Sequence, residues 1–160
     1  MTTTDPIEIL MQEHREVLEV VDNIGRLQQE LKDSPDATAP KLKELLAKLD
    51  KEFDIHSLSK EEKALFPAME TFMPRDEGPI GMMILEHVEL VQRIKEYKES
   101  LDTGDYNKAL EAGAYLSSVL PDHIYKEDNI LYNMARMHLS EEDMAGVYKK
   151  MLEIENSKEE

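Results

Sequence analysis

The stretch His56-Ser-Leu-Ser-Lys60-Glu61-Glu62-Lys-Ala-Leu65-Phe66 has a near copy later in the chain, His123-Ile-Tyr-Lys126-Glu127-Asp128-Asn-Ile-Leu131-Tyr132. Aligned on Lys-Glu, the two agree through Leu-aromatic, and the first carries one extra residue after its histidine. Leu49 and Phe53 lead into the first histidine, Leu116 and Leu120 into the second. Apolar residues at three- and four-residue steps mark amphipathic helices. The repeat therefore sets matched histidines and carboxylates on the apolar faces of two helices, on opposite walls of one interior.

Two further helices complete the pattern. Asp5-Pro6-Ile7-Glu8 is a helix start, with Asp5 as cap, Pro6 in the first turn and Glu8 completing a capping box. Ile7, Leu10, Val17, Val21, Ile24 and Leu31 give that helix one stripe, which Asp33-Ser34-Pro35-Asp36 breaks. The second helix is expected from about Pro40, kinked near Pro67. Pro79 opens the third, with Ile80, Met83, Ile84, Val91, Ile94 and Leu101 on one face. Asp102-Thr103-Gly104-Asp105 is a tight connection to the fourth, so those two are expected as antiparallel neighbours. Ser140-Glu141-Glu142-Asp143 caps a short fifth helix, expected over about 141–154, with a frayed tail from Glu155. The expectation is an all-α, up-down-up-down four-helix bundle over about 6–138 with a short C-terminal fifth helix, within one domain of 1–160.

Composition agrees. Ala, Glu, Lys, Leu and Arg make up 71 of 160 residues, and runs rich in Val, Ile and Thr are few. No cysteine is present, which excludes disulfides, thiolate metal sites and cysteine nucleophiles. The net charge of −16 repels phosphate backbones and anionic lipid, so neither nucleic acid nor a membrane surface is expected as partner. No basic or apolar signal region opens the sequence, and a cytoplasmic location is the expectation.

Histidines carry the chemistry. His14, His56, His87 and His123 each fall within the apolar stripe of a different long helix, and His138 is left over. A single buried histidine is ordinarily a core residue satisfied by one hydrogen bond. With apolar faces taking about 3/7 of positions, four land inside by accident roughly three times in a hundred. Four desolvated imidazoles need partners, at about 1–3 kcal/mol for each one unmet, and a metal satisfies them together. Glu127 lies four residues after His123, on the same helical face. Glu61 lies five after His56, which demands a one-residue π-bulge, predicted at 57–60. Glu62 and Asp128 are read as solvent-facing.

Four histidines and two carboxylates exceed one closed tetrahedral zinc site. They suit two ions, each with two imidazoles, bridged by both carboxylates and a solvent oxygen, and leave room for a small ligand. Mixed nitrogen and oxygen donors fit iron or manganese better than magnesium or copper. The ferritin-like arrangement needs Glu three residues before a ligand histidine. Met11, Phe53, Ile84, Leu120 and Ala135 stand there instead, which disfavours it.

Four stretches together, Leu10-Met-Gln-Glu-His14-Arg, His56-x4-Glu61-x3-Leu-Phe-Pro67, Gly78-Pro-Ile-Gly-Met-Met-Ile-Leu-Glu-His87 and His123-Ile-Tyr-Lys-Glu127-Asp-Asn-Ile-Leu131, resemble the hemerythrin-like family, also called the HHE cation-binding domain. The resemblance implies a four-helix bundle around a non-haem di-iron centre bridged by two carboxylates and an oxo or hydroxo group. Carried over, the ligands are His14, His56, Glu61, His87, His123 and Glu127, with Mn or Zn as alternative metals. Oxygen-carrying members have a fifth histidine where this chain has Met83, which is read as cavity wall with Tyr125; Met82 and Met134 are further candidates to border the cavity. Two functional readings follow, a protein that binds or senses oxygen or nitric oxide, and a redox enzyme acting on peroxide or nitric oxide or an iron-handling protein. For the enzyme, Tyr125 and Tyr132 are candidate proton or electron sources. The third reading, a metal-free helical interaction protein, predicts that chelation leaves stability unchanged.

Overall fold

Asp5 opens the first helix by accepting from the backbone N–H of Ile7 and Glu8 at 3.0 and 3.4 Å. The computed structural model describes residues 3–159. Helix α1 spans Pro6–Asp33 and α2 Pro35–Phe53. Only Ser34 separates them, so α2 starts five residues earlier than expected: Pro35 fits the first turn, where its missing N–H costs nothing. Pro40, the sixth residue of α2, forgoes a single ladder bond. The rod continues as a π-helix over Asp54–Leu65 and then as α3, Phe66–Met69. A turn at 70–77 leads to α4, Gly78–Thr103. Gly104 takes up a left-handed conformation at φ 77° and turns the chain into α5, Tyr106–Lys126. A second π stretch, Glu127–Leu131, joins α5 to α6, Tyr132–His138.

The last helix, α7, spans Glu141–Glu159. Ser140 and Asp143 cap it reciprocally at 3.0 Å in both directions. It runs past the expected end at 154, because Glu155 and Lys158 are bonded to the second rod, to Lys60 and Asp54 at 2.7 and 2.8 Å.

Among the described residues there is no strand. No helix there is long and apolar enough to cross a membrane. The fold is an all-α bundle. Helix α1 packs on α2 and α5, and α4 packs on the same two, closing the four rods into a ring. The apolar interior comes in two parts. One holds Val17, Ile24, Leu42, Leu49, Phe53, Leu90, Ile94, Leu116 and Leu120. The other holds Ile7, Leu10, Leu65, Phe66, Met83, Leu131, Tyr132 and, from α7, Val147 and Met151. Along every rod the inward histidine falls between residues of the two parts, as His14 does between Leu10 and Val17. A polar layer therefore crosses the middle of the bundle.

Candidate metal centre

Glu61 and Glu127 are wholly buried, and His14, His56, His87 and His123 are at most 4% exposed. The rods set them at one level. Where α5 runs into the second π stretch, His123 and Glu127 share a face through ordinary helical spacing, with Nε2 3.2 Å from Oε1. On the second rod the five-residue spacing is absorbed by the π-helix, which brings His56 Nε2 to 3.6 Å from Glu61 Oε1. That segment covers the expected 57–60 and extends beyond it on both sides. The Glu61 carbonyl accepts from the N–H of Phe66, and the Glu127 carbonyl from that of Tyr132, both five residues on. The π turn at Glu127 has no counterpart in the spacing of the sequence, since His123 and Glu127 need none.

Two overlapping donor sets result. His14, His56, Glu61 and Glu127 offer one ligand atom each, all within 4.8 Å of one another, and so do His87, His123, Glu61 and Glu127. Each set has two imidazoles, and the carboxylates belong to both. Within the first set His14 Nε2 lies 3.1 Å from Glu127 Oε1, and within the second His87 Nε2 lies 3.3 Å from Glu61 Oε1.

Each imidazole is held from behind through Nδ1. His14 meets Asp128 at 2.7 Å, His56 meets Glu13 at 2.9 Å, His87 meets Glu62 at 2.6 Å and His123 meets Glu86 at 2.8 Å. With Nδ1–H donated to a carboxylate, every neutral ring turns its Nε2 lone pair to the centre, the arrangement that orients metal-bound histidine. Glu62 and Asp128 are thus not simply solvent-facing, which corrects the sequence reading. Each stands one residue past a buried glutamate, roughly a quarter-turn further round its π stretch, and there it meets the histidine of the adjoining rod. Glu13 and Glu86 were not singled out from sequence. Each directly precedes a buried histidine but serves the ring of another rod, so only their recurrence before His14 and His87 hints at a role.

Whether these residues fit a cation can be judged from what is left unsatisfied. Glu61 Oε1, both oxygens of Glu127, and Nε2 of His87 and His123 are buried without a hydrogen-bond partner. Nε2 of His14 and His56 face each other at 2.9 Å. Lone pairs pointed at lone pairs in a dry interior repel, and unsatisfied buried polar atoms cost about 1–3 kcal/mol each. Cations seated among them turn both costs into coordination bonds.

The electrostatics show the same demand for positive charge. Burial alone pushes an imidazole down, yet the neighbouring carboxylates of Asp128 and Glu127 carry His14 up to about 10. In the same way Glu127, Glu61 and Glu62 carry His87 up to about 12, and Glu127 and Glu86 carry His123 up to about 9. Burial and the charge of Glu127 push Glu61 up. Burial would also raise Glu127, but His123 and the surrounding donors hold it well below the usual carboxylate range. Protons and a metal ion would compete for the same Nε2 positions.

One further group reaches the centre. The buried Tyr132 hydroxyl donates to Glu61 Oε2 at 2.7 Å and lies 3.4 Å from Nε2 of both His14 and His56. Burial, with the charges of Glu127 and Glu61, pushes this phenol well above its ordinary value, which keeps it a donor. Tyr125 is 63% exposed and is not a cavity wall; two residues past His123, it points about 200° away round the helix. Met83 is buried one turn before His87, while Met82 is 53% exposed.

Fold and site together define a helical bundle with two overlapping, buried groups of histidine and glutamate that could hold a metal ion. The family model of the hemerythrin HHE cation-binding domain matches residues 5–153. The chain belongs to that family. The comparison with curated proteins returned no match.

Proposed function

We propose that this chain is a non-haem di-iron protein that binds or senses a small diatomic ligand, oxygen or nitric oxide. His14, His56, Glu61 and Glu127 would hold one ion, and His87, His123 and the same two carboxylates the other. The observation that carries this reading is the sharing of Glu61 and Glu127 between two donor sets of identical composition. One tetrahedral ion would leave two imidazoles unused. Iron or manganese suits the mixed nitrogen and oxygen donors, with zinc a further alternative. Bound there, a pair of irons would supply redox chemistry and open positions for a small ligand.

The chain's own residues prepare that chemistry. Glu13, Glu62, Glu86 and Asp128 fix the tautomer and aim of the four rings. The two apolar parts of the interior keep bulk water from the centre. Met83 stands where oxygen carriers of the family have a fifth histidine, and thioether is a poor donor to iron(III). That leaves the ion beside His87 with fewer nitrogen donors and favours sensing over oxygen carriage. The second reading, a redox enzyme acting on peroxide or nitric oxide, draws support from Tyr132, a buried hydroxyl able to hold a proton against the centre.

Elemental analysis of freshly purified protein with an absorption spectrum tests the proposal. About two irons per chain are expected, with near-ultraviolet charge-transfer bands that change on addition of nitric oxide. One metal per chain, or none after reconstitution with Fe(II), overturns it. Catalytic consumption of peroxide by the loaded protein would select the enzyme.

A further inference from the structure

The two halves of the centre are copies, and the departures from the copying are informative. Glu13 precedes His14 as Glu86 precedes His87. Glu13 accepts from His56 Nδ1–H, as Glu86 accepts from His123 Nδ1–H. A lysine grips each of these carboxylates: Lys60 holds the second oxygen of Glu13, and Lys126 that of Glu86.

Beyond the lysines the halves part. The side chain of Lys126 is 29% exposed, and its other partner is Asp122, one turn away on its own helix at 3.2 Å and 65% exposed. The side chain of Lys60 is only 5% exposed, and its other partner is Glu155 at 2.7 Å. Glu155 belongs to α7, outside the four rods. A chain of ionic contacts therefore runs from the fifth helix through Lys60 and Glu13 to His56, and the other half lacks one.

We propose that α7 is part of the metal centre, with Glu155 a positioning residue that strengthens the grip of His56 on one of the two ions. The proposal rests on the two-ion reading. Its physical basis is the cost of a buried ammonium, which needs full compensation by carboxylates. With Glu155 present, Lys60 divides its demand between two anions, and Glu13 keeps charge to polarise His56 Nδ1–H. Without it, Lys60 draws on Glu13 alone, the imidazole becomes a weaker donor, and the ion it holds binds less tightly. Partners behind a metal-bound histidine are typically worth about 10- to 100-fold in affinity. Glu155 acts at one remove further, so the lower end applies.

Anaerobic titration with Fe(II) against a chromophoric chelator tests this in wild type, Glu155→Gln and Glu155→Asp. Glu153→Gln serves as control: it carries the same charge change from an exposed position two residues away. The expected result is two Fe(II) per wild-type chain, and one of the two dissociation constants raised about tenfold in Glu155→Gln. Glu153→Gln leaves both unchanged, and Glu155→Asp recovers part of the loss. In Zn(II)-loaded protein, the Nδ1–H resonance of His56 should move in Glu155→Gln while those of His14, His87 and His123 stay. Equal constants in wild type and Glu155→Gln overturn the role of Glu155, as does an equal weakening of both ions. A wild-type chain that takes up fewer than two ions overturns the centre itself.

Discussion

Phe66 and Tyr132 occupy the same place in the two copies, five residues after Glu61 and Glu127. Phe66 stacks on His87 with ring centroids 6.2 Å apart, and Tyr132 on His14 at 5.4 Å. They differ by one hydroxyl, and that hydroxyl bonds a shared carboxylate. Tyr132→Phe makes the halves alike, and metal affinity should fall about tenfold with an unchanged far-ultraviolet circular dichroism spectrum, as equilibrium Fe(II) titration would show. The histidines set a second expectation. In chelated protein the folded state holds His14, His87 and His123 protonated up to about 10, 12 and 9, against an ordinary 6.5. A raised value contributes stability in full below the unfolded value and loses it as pH rises through the folded one. Thermal melts of chelated protein should therefore show this contribution intact near pH 6 and declining through pH 9 and above. Metal uptake displaces those protons, so Fe(II) affinity should weaken as pH falls across the same range.

At the scale of the elements, the two π stretches are what align the shared carboxylates with the tyrosine and phenylalanine behind them. The first was legible because five residues separate His56 from Glu61, a spacing that a regular helix cannot keep on one face. The second was not, because it begins at Glu127, after the spacing has already been met. Gly104 is legible in another way: at φ 77° it ends α4 where a Cβ would be strained, although no atom stands within 4 Å of one. Gly104→Ala should cost about 1 kcal/mol from the left-handed conformation alone, read as a lower denaturant midpoint with unchanged slope. The length of α7 escaped sequence reasoning for a related reason. A charged segment from Glu155 onward reads as frayed until Lys60 and Asp54 are placed beside it.

In the whole molecule, a layer of four imidazoles and two carboxylates divides the apolar interior in two. Such a layer is costly without cations, and binding to the folded state adds directly to its stability. A thousand-fold excess over Kd is worth about 4 kcal/mol per site, roughly 8 for the two, so exhaustive chelation should lower the melting temperature by on the order of 20 °C. Differential scanning calorimetry with and without chelator measures it, and an unchanged midpoint would match a helical protein that holds no metal.

The sequence by itself determined that helices form, which face of each is apolar, and that one histidine stands inward on each of four rods. Those are local properties, set by spacing along a single helix. Only the tertiary structure decided what stands behind them. Glu13, Glu62, Glu86 and Asp128 each serve a histidine on another rod, and Lys60 reaches a helix almost a hundred residues away. Pairings across rods depend on how the rods are rotated and levelled against each other, which the periodicity of any one of them leaves open.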